Sequence, residues 1–145
     1  MIRILCVGKI KENYLKELIN DYEKRINKYH KLEIIEVKDN DDIKKETIEL
    51  RKYLNDKHYN IALTIDGKNY DSIQFSKYID NLFNNNGIIT FIIGGSNGLD
   101  ESILNECDDY VSFSKLTFPH GLFRGILLEQ IYRTFKINNN ECYHK

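Results

Sequence analysis

Tryptophan is absent from this chain, proline and methionine occur once each, and cysteine appears only three times in 145 residues. Cys6, Cys107 and Cys142 are odd in number, far apart and not in a CxxC pair, which argues against a disulfide framework and a zinc site and for a reducing cytoplasm. No stretch approaches the roughly 20 apolar residues of a membrane span. The amino-terminal "MIRILCVGKIKENY" has too short an apolar run for a signal-peptide core, so neither export nor membrane embedding is expected. Charge of one sign is also lacking: 21 Lys and Arg meet 22 Asp and Glu, a net charge of −1, so only a local basic face would argue for nucleic acid. The 41% hydrophobic and 30% charged shares fit a globular protein, although 10 Tyr and 7 Phe without Trp is an unusual aromatic mix. The length suits one domain, residues 1–145.

Five short apolar runs, rich in β-branched or aromatic residues and bounded by Gly, Asn or Asp, predict strands: Ile2–Val7, Leu32–Val37, Ile61–Ile65, Ile88–Ile93 and Tyr110–Phe113. Helical periodicity fills the gaps. Leu15, Leu18, Ile19, Tyr22, Ile26 and Tyr29 form one stripe opposite Lys16, Asp21, Glu23 and Lys24. Shorter patterns cover Ile43–Leu54, with Ile43, Ile48, Leu50 and Leu54 on the apolar side, and Ser72–Asn84, where Asp71 and Gln74 resemble a capping box. Strands alternating with helices predict an α/β fold with a parallel sheet covered on both faces. The charge run "KDNDDIKKE", Lys38 to Glu46, reads as a solvated loop and helix start. "NNNG" from Asn84 and "NNN" from Asn138 read as helix stops.

The last helix, Gly121–Ile137, begins just after Pro119, whose missing amide donor costs nothing there. Its apolar positions Leu122, Phe123, Ile126, Leu127, Leu128, Ile131 and Phe135 cover more than one stripe, which predicts burial on two sides. One side suits the sheet. The other suits either a second copy of the chain, with Gly125 permitting close approach, or simply the core of a monomer.

There is no G-x-G-x-x-G fingerprint, phosphate loop, G-x-S-x-G elbow or H-E-x-x-H helix. What remains is "FIIGGSNGLDESI", Phe91–Ile103, an apolar strand running into Gly94, Gly95 and Gly98. Its glycines fit either ordinary turn chemistry or a ligand pressed against bare backbone at a strand's carboxyl end. In a parallel sheet "LTIDGK", Leu63–Lys68, and "FSKLTFPH", Phe113–His120, end near the same edge, so three loops would line one crevice.

"IIGGSNGL", "SFSKLTFPH", "RGILLEQIYRTFKI" and the terminal "YHK", with "ILCVGKIKENY" and "DYEKRI" at the front, resemble the small SPOUT-superfamily methyltransferases of the RlmH type over essentially the whole chain. The resemblance implies a homodimer, a carboxyl-terminal trefoil knot over about residues 60–145, and S-adenosylmethionine as cofactor. It also implies methylation of N3 of pseudouridine 1915 in 23S rRNA of the assembled ribosome, in the cytoplasm and without a metal. By matching motif, cofactor contacts fall on Leu63, Gly94, Phe113, Ser114, Lys115, Leu116, Thr117 and Phe118, with bare backbone at the glycine turn admitting the adenosine half. Departures are a short connection after the second strand and Gly125 where an aliphatic residue is usual.

Methylation of an imide nitrogen requires its proton to leave, taken by a base or compensated by cations. His120, Arg124, Tyr143 and His144 are the catalytic candidates, with Lys145 also available; His120 alternatively serves only to cap or pack. The tail offers a stacking ring, an imidazole and a cation suited to a splayed-out base, and is expected to order over the cofactor crevice of the partner subunit. His30 and His58 read as surface residues. Lys9, Lys11, Lys24, Arg25, Lys28 and Lys31 form a basic cluster diluted by Glu12, Asp21 and Glu23. The competing reading is a non-catalytic dimeric α/β module that binds a nucleotide or RNA through the same crevice.

Overall fold

The computed structural model describes residues 1–145. Strands β1 (Ile2–Val7), β2 (Leu32–Val37), β3 (Tyr59–Asn69), β4 (Ile89–Ile93) and β5 (Asp109–Ser112) alternate with helices α1 (Asn13–Asn27), α2 (Ile43–Arg51), α3 (Ser72–Asn85), α4 (Glu101–Leu104) and α5 (His120–Asn138). All strand pairs are parallel, in the order β2-β1-β4-β3-β5. Successive residues of β1 explain the three layers. Ile2, Ile4 and Cys6 face a large core with Ile19 and Ile26 of α1, Phe75 and Ile79 of α3, and Leu127, Leu128 and Ile131 of α5. Leu5 and Val7 face a smaller one with Leu50 of α2 and Ile103 of α4. Both sheet faces are thus covered, which is why β1 and β4 are apolar at every position but Arg3 and Thr90.

Local chemistry sets the helix ends. Asp71 accepts from the Gln74 amide while the Gln74 side chain accepts from the Asp71 amide, a complete capping box. Asp42 caps α2 by accepting from the Lys44 amide at 2.9 Å. Asn140 ends α5 in the left-handed region, φ 54°.

Three expectations change. The α2 stripe is rotated: Ile48 is 57% exposed, while Glu46, from the supposedly solvated charge run, is 2% exposed. The two buried sides of α5 are both taken within one chain, since it packs against α1 and α3. Gly125 accordingly faces α1, where an added Cβ would lie 2.8 Å from Leu18 Cδ2. Finally, β3 runs beyond Ile65 to Asn69 by re-pairing with β5: Val111 pairs with Leu63 and again with Lys68. Gly67 permits this, because a Cβ there would lie 2.7 Å from the Val111 backbone.

Candidate active site

Strands β4, β3 and β5 are neighbours, so the carboxyl half of β3 and the loops after β4 and β5 meet at one rim. They enclose a cavity of about 520 Å³, lined by Leu63, Thr64 and Ile65 from β3, residues 93–96 and Gly98 with Leu99 and Leu104 after β4, and Phe113, Ser114, Leu116, Thr117, Phe118, Pro119, His120 and Phe123 after β5. This volume lies within the roughly 300–1,000 Å³ usual for small-ligand sites. Every candidate cofactor residue except the exposed Lys115 is on its wall. Sequence reasoning missed Leu104 and Phe123, which lie outside the segments named for the crevice; their apolar character alone does not separate cavity wall from core.

The glycines of the turn have reasons inside the chain. A Cβ on Gly94 would lie 2.6 Å from the Gly98 carbonyl carbon and oxygen, and one on Gly95 would lie 2.9 Å from Val7 Cγ1. Gly98 has φ +71°, a conformation glycine adopts at no steric cost. Ordinary turn chemistry therefore accounts for all three, and a ligand is not needed to explain their lack of side chains. The turn still presents peptide groups to the cavity.

The loop after β5 is braced by its own polar groups. Asn69 Nδ2 donates to the Ser112 carbonyl at 3.0 Å, Ser112 Oγ to the Ser114 carbonyl at 3.1 Å, and the Leu116 amide to Ser114 Oγ at 2.9 Å. Leu116 is left 71% exposed. The loop ends at Pro119, φ −55°, and α5 starts with His120. The His120 ring packs on Gly8, φ +97°, where a Cβ would meet His120 Cε1 at 2.9 Å. His120 Nδ1 is buried without a hydrogen-bond partner. An imidazole in a cavity wall with a free ring nitrogen can accept or hold a proton.

Arg124, one turn further on, is 2% exposed and is not on the cavity wall. It donates through Nη1 to Glu36 Oε2 at 2.6 Å and through Nη2 to the Gly8 carbonyl at 3.1 Å, while its Nε has no partner. Glu36 Oε2 also accepts from the Ile10 amide at 3.3 Å. Arg124 thereby ties α5 and β2 to the loop that supports the His120 ring.

The tail folds back along the far half of α5. Tyr143 donates to Glu129 Oε1 at 3.0 Å and meets Tyr132 edge-on at 5.0 Å, and burial pushes its phenol above the ordinary value. Arg133 spans the Tyr143 ring at 4.7 Å and lies 3.0 Å from His144 Nδ1. Glu129 is nine residues beyond His120, roughly 13 Å of helix. Within one chain Tyr143 and His144 do not join the cavity; His120 alone of the four catalytic candidates lines it.

The remaining histidines, His30 and His58, are both half-buried, contrary to the expectation of surface residues. His30 stacks on Phe83 at 4.4 Å and on Phe135 at 6.1 Å, and desolvation, with the amino-terminal charge second, holds its pKa below the ordinary value. No helix is long and apolar enough to cross a membrane.

Comparison with known proteins agrees with this architecture. The chain is 46% identical to the ribosomal RNA large subunit methyltransferase H of Clostridium kluyveri and 46% identical to that of Fusobacterium nucleatum, each alignment covering 99% of both proteins. Among solved structures, a probable methylase family protein from Haemophilus influenzae superposes with TM-score 0.60 at 12% identity, covering 99% of this chain and 70% of that one. A tRNA methyltransferase from Aquifex aeolicus gives 0.52 at 14% identity, over 91% and 69%. These two show the fold only. The family model described as "Predicted SPOUT methyltransferase" matches residues 1–144, and with a parallel sheet whose carboxyl-rim loops enclose one cavity, the chain belongs to the SPOUT methyltransferase family.

Proposed function

We propose that this chain transfers a methyl group from S-adenosylmethionine to N3 of pseudouridine 1915 in 23S rRNA of the assembled ribosome, in the cytoplasm. The cavity formed by the carboxyl half of β3 and the loops after β4 and β5 carries the reading, because it unites Leu63, Gly94 and the Phe113–Phe118 loop on one wall. The full-length similarity to ribosomal RNA large subunit methyltransferases supports the substrate class. The residues present fit the cofactor: the volume suits a nucleoside-sized ligand, phenylalanine and leucine side chains offer apolar contact, and peptide groups of two loops offer hydrogen bonds. S-adenosylmethionine, when bound, supplies an electrophilic methyl group on a sulfonium.

The chain's own residues then position and deprotonate. His120, the one catalytic candidate on the cavity wall, is assigned the imide proton that N3 must lose. Arg124 acts at one remove, fixing the Gly8 loop against the His120 ring. We assign Tyr143 and His144 to the cavity of a partner subunit in a homodimer, where the ring can stack on a splayed-out base. Tyr14, Leu116 and Leu122, all exposed and all near the start of α1 or α5, supply apolar surface for that contact. The same reading makes residues 60–145 a trefoil-knotted unit.

Calorimetry with S-adenosylmethionine, followed by methyl incorporation into ribosomes and into free rRNA, tests the proposal. Binding together with incorporation into ribosomes is expected. Absence of binding at millimolar cofactor would favour a non-catalytic binding module instead. Removing Cys142–Lys145 should abolish methylation while cofactor binding stays measurable; full activity after that truncation refutes the role of the tail.

A further inference from the structure

We propose that Glu46, which does not line the cavity, is a positioning residue that sets the Gly94–Asn97 turn in its ligand-bound form by accepting a backbone N–H through its free carboxylate oxygen. The inference rests on the reading of that cavity as the cofactor site. Glu46 is the one acidic side chain in the buried set, at 2% exposure. Its Oε2 accepts from the Asn40 amide at 2.8 Å and would lie 3.6 Å from a Cβ on Gly95. Its Oε1 is buried and has no partner at all. First-turn placement in α2 favours a negative charge, since helix amides point their dipoles toward it. That does not supply a hydrogen-bond donor to Oε1, and an orphaned oxygen inside a protein calls for one.

The glycine turn is the structure at hand to provide it. Its back is tied to the segment leading into α2: Asn97 Nδ2 donates to the Asn40 carbonyl at 3.2 Å, and Lys44 pairs with Asp100 at 3.1 Å. Its front, Gly94 to Ser96, is cavity wall. Glycines at 94 and 95 let a peptide group turn over without moving a side chain. Because a trans peptide carries N–H and C=O on opposite sides, an N–H aimed back at Glu46 aims a carbonyl forward into the cavity as an acceptor for the ligand. Ligand contact at the front and Glu46 at the back thus favour one arrangement of the turn.

The test uses the full chain, with E46Q as the variant and S-adenosylhomocysteine as the probe. Gln retains the shape but replaces one acceptor oxygen with an NH₂ group, so only one of the two positions held by Oε1 and Oε2 still accepts. Expected results for E46Q are a ligand-free melting temperature close to wild type, KM for S-adenosylmethionine raised about tenfold and kcat nearly unchanged. In wild type, one amide proton of Gly94–Asn97 should move downfield when the probe is added, and in E46Q it should not. Unchanged KM with the same amide shift in both proteins overturns the proposal. Should E46Q not fold, the wild-type spectrum decides: a turn whose amide protons show no downfield shift on saturation refutes it. Wild-type protein that binds no probe refutes the cofactor reading itself, whereas normal wild-type binding with an indifferent E46Q refutes only the role of Glu46.

Discussion

Replacing Glu36 with Ala removes the acceptor for Arg124 Nη1 and for the Ile10 amide, and leaves a guanidinium that is 2% exposed with only the Gly8 carbonyl. Breaking a buried pair by deleting one partner costs about 3–5 kcal/mol when the remaining charge stays dry. Glu36 is 33% exposed, so water can enter the vacated space, and the expected loss falls to about 2–3 kcal/mol. For a chain of this size that is a fall in Tm of about 6–9 °C. Arg124→Met is milder: it fills similar volume and strands a carboxylate that water already reaches, for a loss of about 1 kcal/mol. The double variant E36A/R124M should then be more stable than E36A alone, because the uncompensated buried charge is gone. Scanning calorimetry of the three variants at neutral pH reads the order directly. If R124M costs more than E36A, or if the two losses simply add, Arg124 holds the fold by packing and the electrostatic account of the Gly8 loop fails.

Two further perturbations test the site and the core. Gly94→Ala sets a Cβ 2.6 Å from the Gly98 backbone, so the turn must shift; cofactor affinity should fall at least about tenfold with a stability loss of about 1–3 kcal/mol, read by calorimetry, and retained affinity would show that the turn yields freely. His30 favours its neutral form in the folded state while the unfolded chain takes up a proton near the ordinary value of 6.5, so stability should be full above that pH and decline as pH falls below it, toward the lower folded-state value. His30→Phe, keeping the stack on Phe83 and Phe135, should flatten that part of the Tm profile between pH 7 and 5, and an unchanged slope would assign the loss to other groups.

Strands β1 and β2 were legible to the residue, because short segments rich in Ile, Leu and Val and bounded by polar residues admit few other structures. The capping box at Asp71, the helix stop at Asn140 and the stripe of α1 were equally plain, each being encoded within a few neighbouring positions. The site loops after β4 and β5 could be named as well, since they follow strand signals with glycine, proline and hydroxyl residues, whereas "LTIDGK", expected as a third loop, is part of β3. Helical period alone, however, did not place Glu46 inside and Ile48 outside; that depends on the Gly94 turn lying beside α2. Nor did it show that Gly125 meets Leu18 instead of another chain, or that β3 continues past a glycine to pair twice with β5. The catalytic candidates separated in the same way: a run of sequence from His120 to His144 holds all four, yet α5 keeps His120 at the cavity and carries the tail roughly a dozen ångströms off along its axis. Periodicity and capping are properties of contiguous residues, so the type and order of the elements, though not all their ends, were settled by the sequence alone. Which loops share a wall, which acid is buried and which histidine faces the cavity follow from strand order and helix packing, contacts between distant positions whose geometry exists only once the chain has closed on itself.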